Sequence, residues 1–358
     1  MNNIKFSNIT CIGDSGDASF ILYNSDENKG KLDIKNLDGK DSLSNGPFIK
    51  VIGNSNSVAI YNSSLNNIIS YGPIIKISSK KSVISMKNLK FSNNTNNNKF
   101  ECGCIRFSND LDISVSNSEF YNNYSKGDGG AICIDNITNM KLDLISNNFR
   151  KNHGINGGAL YLSSNDNENN ENNEDTNEIK NINDTINFEN NFFEGNKAED
   201  FGGAIYSTFN KLYLTKSVNN SIIENDAGIM GGGVYTPSRK DQNMFDINNF
   251  IFEKNTVNLL QINNYTTKPY YISLDSLDEN GKYNITSGES ISLKFSLLDE
   301  YNQTIRDITK YYSLLTLKLS LQDINKNDMR NDKNKNLPTK NTNFQLTENI
   351  GTFVNGNS

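Results

Sequence analysis

GGAICI at 129–134, GGALYL at 157–162, GGAIYS at 202–207 and GGGVYT at 231–236 are one phrase written four times. Worn copies precede them: CGCIRF at 102–107, YGPIIKI at 71–77 and NGPFIKV at 45–51. Aligned on Gly46, Gly72, Gly103, Gly130, Gly158, Gly203 and Gly232, they are spaced by 26, 31, 27, 28, 45 and 29 residues. The one long interval holds an acidic, Asn-rich insertion, 163–183, and its removal restores the period. A fixed period in this range is the mark of a repeat architecture.

A second phrase, F-x-x-N, runs in step with the first. It pairs Phe91 with Asn94, Phe120 with Asn123, Phe149 with Asn152, Phe193 with Asn196 and Phe252 with Asn255, and Ile222 with Asn225 is a conservative copy. The aligned Gly follows 9 to 12 residues after the Phe or Ile. Composition alone scatters F-x-x-N through an Asn-rich chain but does not lock it to G-G-A.

Between the phrases lie alternating stretches such as LDISVSNSEF at 111–120 and MKLDLISNNF at 140–149. A period of two predicts strands. No stretch between copies has the 3.6 period of a crossover helix. Parallel strands joined without helices stack coil on coil, as a β-solenoid. The expectation is an all-β chain: a right-handed parallel β-helix over 1–262, with about nine coils of ~28 residues, each holding three short strands. Ile105, Ile132, Leu160, Ile205 and Val234 form a column that should face inward. The Phe column should stack in the core. Gly103, Gly130, Gly158, Gly203 and Gly232 precede the strand, where a positive φ or a close backbone approach excludes other residues. Of the 358 residues 65 are Asn. Codon bias accounts for most of them, and the in-phase ones can bond as a ladder.

These phrases, G-G-A-[IL] with F-x-x-N, resemble the repeats of polymorphic outer membrane proteins and other right-handed parallel β-helix surface proteins. The resemblance covers about residues 1–262. It implies a β-helix and a role in adhesion at a cell surface. Two features depart from that family. Residues 263–358 lack enough alternating strands for a membrane β-barrel. The start, MNNIKFSNITCIG, has no basic n-region or apolar h-region of a signal peptide. The expected setting is nevertheless extracellular or at the cell surface, with the chain part of a longer polypeptide.

From Tyr265 the repeat stops. YYISLDSL, ESISLKFSLLDE and SLLTLKLSLQD alternate strictly, with DENG at 278–281 and DEYNQ at 299–303 as turns. They predict an incomplete immunoglobulin-like β-sandwich over 263–358, with a polar loop at 325–343.

Composition excludes several classes. Net charge is −6 and no dense Lys/Arg stripe exists, which argues against a nucleic-acid partner. No apolar run is long enough for a membrane-spanning helix. There is a single His, so ordinary acid–base chemistry is thinly equipped. The four cysteines, Cys11, Cys102, Cys104 and Cys133, allow three pairings and the sequence selects none; a bridge between neighbouring repeats would join, for example, Cys102 with Cys133. The C-x-C at 102–104 lacks zinc spacing.

Polysaccharide lyases and polygalacturonases also use β-helices, so a pectate lyase- or polygalacturonase-like enzyme is the rival reading. Its one handle is His153–Gly154, without the paired carboxylates that glycoside hydrolysis needs. Asp14, Asp128, Asp200 and Asp226 fall shortly before their coil's Gly at uneven distances, which suits solvated turns better than calcium. No metal or cofactor is expected. If the Ile column faces in, alternation sends Arg106, Cys133, Tyr161, Tyr206 and Tyr235 out. Three Tyr about 4.8 Å apart would make a flat aromatic stripe, suited to a sugar or an aromatic-rich protein surface. A carbohydrate or a surface protein is therefore the expected partner.

Overall fold

The computed structural model describes residues 1–13, 18–137, 139–164, 185–208, 215–236, 249–275, 292–319, 350–354 and 356–357. It divides into two compact units, Met1–Lys268 and Pro269–Ser358. Most of the acidic insertion, the loop at 325–343 and Asp14 lie outside the described residues.

The first unit is a parallel β-solenoid of about eight turns. Its most regular sheet stacks nine parallel strands in chain order: Ile21–Asn24, Ile49–Ile52, Ile75–Ile77, Ile105–Ser108, Ile132–Ile137, Leu160–Ser164, Ile205–Ser207, Val234–Tyr235 and Tyr265–Thr266. Ile105 pairs with Ile132, Ile132 with Leu160, Leu160 with Ile205 and Ile205 with Val234. The predicted inward column is therefore in register, and all five side chains are buried. The register also crosses the long interval without slipping. Tyr265 pairs with Val234, so the solenoid runs a few residues beyond Ile262.

Each regular coil holds four short strands rather than three. In one coil they are Ile105–Ser108, Asp110–Ser116, Glu119–Tyr121 and Tyr124–Ser125. The last three belong to one hydrogen-bonded sheet that bends twice. The bends sit at residues with positive φ: Asn117 (49°) and Asn122 (52°), then Ser146 (56°) and Lys151 (54°), then Asn190 (54°) and Gly195 (61°). Asn tolerates this left-handed conformation better than most residues. The residue after each bend turns inward. That explains Asn-Asn pairs such as 122–123, 190–191 and 219–220: the first bends the chain and the second is buried.

The buried carboxamides form two ladders. The first is the expected column, Asn94, Asn123, Asn152, Asn196, Asn225 and Asn255, each at most 1% exposed. From Asn94 to Asn225, each Nδ2 donates to the next Oδ1, at 2.9–3.1 Å, and each backbone N–H donates to the same oxygen. Each Nδ2 also donates to the carbonyl of a residue in the coil before, such as Phe91 for Asn123 and Phe120 for Asn152. A second ladder of Asn147, Asn191 and Asn220 repeats this pattern one bend earlier. Buried polar groups are stable only when paired, and these amides are paired at both ends.

Between the two ladders lies the Phe column. Phe91, Phe120, Phe149, Phe193, Ile222 and Phe252 are in register. Phe120 and Phe193 stack on opposite sides of Phe149, each with centroids 4.7 Å away and planes within 7°. Such a contact adds about 0.5–1.5 kcal/mol beyond burial.

The two glycines of G-G-A do different work. Gly129, Gly157, Gly202 and Gly231 have φ near +67°. Gly130, Gly158, Gly203 and Gly232 do not; a Cβ on any of them would land on backbone of the next coil, on the carbonyl of Gly203 in the case of Gly158. In the worn copy, register places Pro73, not Gly72, beside Gly103, because Ile75 pairs with Ile105. Gly72, like Gly46, thus aligns with the first glycine of the later copies, one position from where the phrase alignment puts it.

In the second unit, Tyr271–Leu274 pairs antiparallel with Phe295–Leu298, and Thr316–Lys318 with Ile350–Thr352. Among the described residues of this unit, Leu297, Ile305 and Phe353 are buried and apolar. Buried Asp299 and Asp307 accept backbone N–H groups of Tyr301 and Gln303, and of Tyr311 and Tyr312. No helix of the described residues is long and apolar enough to cross a membrane, which says nothing of β-barrels.

Candidate binding groove

Alternation along the nine-stranded sheet sends every second residue away from the core. One such column reads Lys50, Lys76, Arg106, Cys133, Tyr161, Tyr206 and Tyr235 in continuous register. Arg106 and the three Tyr of the sequence analysis do share one column.

The Tyr do not form a flat stripe. Tyr161 and Tyr206 have ring centroids 5.2 Å apart and planes within 3°; Tyr206 and Tyr235 are 5.6 Å apart and within 14°. Parallel rings this close lie face over face. Their faces cover one another, and what the column shows to solvent is ring edges. Tyr235 also packs against Phe201, 4.7 Å away, and is only 5% exposed. The physical reason is the strand spacing of about 4.8 Å, shorter than a coplanar row of rings requires. Tyr161 differs from the other two. One face is covered by Tyr206, while the next rung below it is Cys133, which carries no ring.

Cys133 is joined to Cys102, with Cα atoms 5.7 Å apart. The other two thiols are free; Cys104 is fully buried, its Sγ donating to the Tyr124 carbonyl at 3.2 Å, and burial pushes that thiol up to about 12. Beside the disulfide, Arg106 donates to Asp135 twice, Nε to Oδ1 at 3.0 Å and Nη2 to Oδ2 at 2.7 Å. Glu101 lies 3.6 Å from Arg106 Nη1 and takes Lys76 Nζ at 2.9 Å. The four charges cancel, and Asp135 is held in one orientation by a bidentate pair.

Above this cluster opens a groove of about 210 Å³. Its lining includes Lys99, Phe100, Arg106, Asp128, Asn136 and Tyr161. Phe100 is 82% exposed, with Lys99 Nζ 5.0 Å from its ring centroid. Asp128 Oδ1 accepts the N–H and the Nδ2 of Asn156, at 3.1 and 2.8 Å. Burial pushes the Asp128 carboxyl above its ordinary range against those two bonds. Burial, with the charge of Asp128 nearby, pushes the Tyr161 hydroxyl up to about 12.

The residues weighed for chemistry stand elsewhere. His153 lies on the outer side of the short strand His153–Gly154, edge-on to Tyr124 at 5.1 Å and 3.8 Å from Glu199. Burial lowers its pKa. Asp226 is buried and spent on Thr256 Oγ1 and Leu259 N–H, each at 2.8 Å. Donor atoms of Cys102, Cys133 and Asp135 lie within 4.8 Å of one another, but the two sulfurs are bonded together and Asp135 is held by Arg106. Sequence reasoning weighed Asp128 only as a turn acid and passed over Phe100 and Asp135. The outward alternation that picked out Arg106 also reaches Asp135, two positions beyond Cys133. Phe100 stands outside the repeat, and nothing in the pattern marks it.

A family model described as the Chlamydia polymorphic membrane protein (Chlamydia_PMP) repeat matches residues 117–135 and 192–208. Each match begins at or just before a Phe of the core column and ends just past a G-G-A phrase. No curated protein and no solved structure matches the chain.

Proposed function

We propose that this chain, a parallel β-solenoid carrying polymorphic-membrane-protein-type repeats, is a non-enzymatic surface protein. Its rod holds a binding face away from the cell, in an adhesive or structural role. The antiparallel unit is read as a module of the immunoglobulin-like kind. The repeat's name supports a membrane-associated, surface-exposed setting. One observation carries the binding role: the outer column from Arg106 to Tyr235 points away from the main apolar core, yet it gathers aromatic and charged side chains. A solenoid suits this task because each rung is pinned by its neighbours, so side chains on its face are held without loss of entropy on binding.

The test is an array that displays both glycans and purified cell-surface proteins. The intact chain should bind a subset. A Tyr206→Ser variant, shown folded by circular dichroism, should bind less. No binding to any feature, or binding indifferent to this face, overturns the reading.

A polysaccharide-active enzyme remains the second reading, because Asp128 and Asp135 both line the groove. Glycoside hydrolysis uses one carboxyl as acid and one as base. Asp128, with its raised pKa, fits the acid. Asp135, clamped by Arg106, is poorly placed to activate water. Release of reducing ends from a bound polysaccharide would establish this reading over the first.

A further inference from the structure

We infer that the groove between Arg106 and Tyr161 is a subsite for one uncharged sugar ring, held against the aromatic side chains of Tyr161 and Phe100 that line it. This deepens the binding role proposed above and rests on it. The ring ladder ends at Tyr161: the rung next to it in register is Cys133, which is fully buried and bonded to Cys102. At that end lies the groove of about 210 Å³, below the roughly 300–1,000 Å³ of drug-sized sites, so it holds a single ring-sized group.

The lining chooses the chemistry. A pyranose presents an apolar C–H face and a rim of hydroxyls, each both donor and acceptor. Tyr161 and the exposed ring of Phe100 supply apolar faces. Lys99 and Arg106 supply donors, Asp128 and Asp135 acceptors, and Asn136 both. The charges of Arg106, Lys76, Glu101 and Asp135 are already matched among themselves. An anionic sugar would meet Asp128, and a cationic one would meet Lys99. A neutral ring meets neither penalty, and its hydroxyls can satisfy both groups.

The experiment measures binding of the full chain to neutral, sulfated, carboxylated and amino-sugar glycans, together with purified surface proteins on the same array. Neutral glycans should bind. Phe100→Ala, at an exposed position that folding does not need, and Tyr161→Leu, which keeps bulk but removes the ring, should each weaken binding about two- to tenfold. Val83→Thr, at an exposed position on the other sheet and outside the groove, should not. Binding confined to charged glycans or to proteins overturns the sugar subsite but leaves the binding role standing. So does binding to neutral glycans that Phe100→Ala and Tyr161→Leu leave unchanged. No binding to any feature overturns both.

Discussion

Asn152 stands one coil above Asn123, and its carboxamide oxygen accepts both the backbone N–H and the Nδ2 of Asn123, at 3.1 and 2.9 Å. The same unit repeats from Asn94 to Asn255, so each residue is at once acceptor for one coil and donor to another. It bridges coils without an exposed polar edge, and each rung depends on its neighbour.

Replacing Asn152 with Ala should be costly for this reason. It orphans two donors of Asn123 and the carbonyl of Phe120, each worth about 1–3 kcal/mol when buried and unpaired. The expected loss is about 3–5 kcal/mol in urea unfolding. Asn148→Ala, on the outward-facing side of the adjacent strand, should change stability by less than about 0.5 kcal/mol.

Phe149 lies between two parallel rings. Phe149→Ala should cost about 3–5 kcal/mol through cavity and stacking loss together. Phe149→Leu should cost visibly less. Equal losses from both variants would show that the retained volume counts for little and that the ring itself carries the contribution.

Gly158→Ala and Gly157→Ala should fail for different reasons. The first drives a methyl into the carbonyl of Gly203 and should prevent correct stacking of the coil, read as insoluble or protease-sensitive protein. The second meets a φ of +66° and would also press a methyl into the Leu160 carbonyl of its own turn. Gly157→Asn relieves the conformational cost but not that overlap, so neither Gly157→Asn nor Gly158→Asn should restore the native stack.

The thiols should separate by reactivity. Cys104 should resist alkylation at neutral pH in the folded chain and react only on unfolding, because its thiol is buried and its pKa is about 12. The paired change Cys102→Ser and Cys133→Ser should lower stability by about 2–4 kcal/mol, given the 31-residue separation. Rapid labelling of Cys104 in the native protein would contradict its complete burial.

Two titrations should act in opposite directions. Burial lowers the His153 pKa, so its contribution is present above the unfolded value near 6.5 and is lost as pH falls below it. His153→Gln should flatten thermal stability across that window. Burial raises the Asp128 pKa, so its folded form favours the proton. The associated stability is present below the unfolded value near 3.9 and is lost as pH rises through the folded one. Asp128→Asn should therefore raise Tm at pH 7, with the gain vanishing toward pH 4.

Periodicity made the solenoid legible. A spacing near 28 residues, with Phe, Asn and Gly in phase, admits only a stack that superposes equivalent residues, and the observed register of Phe120 on Phe149 on Phe193 follows from it. The second ladder, Asn147, Asn191 and Asn220, was equally periodic but hidden in the Asn background, since composition masks any signal carried by its commonest residue. Bends at left-handed residues were hidden too, because Asn122 and Asn123 read alike in sequence while one is exposed and the other buried.

The amino-acid sequence by itself determined which residues share a column and which columns face the core, because alternation and coil length are one-dimensional quantities. Tertiary structure decided what a column does. Strand spacing turned three outward tyrosines from a platform into a stack of edges, and the Cys102–Cys133 bridge stands where the next ring of that stack would be. Distances between coils fix which faces are covered and which stay open, and no linear pattern contains them.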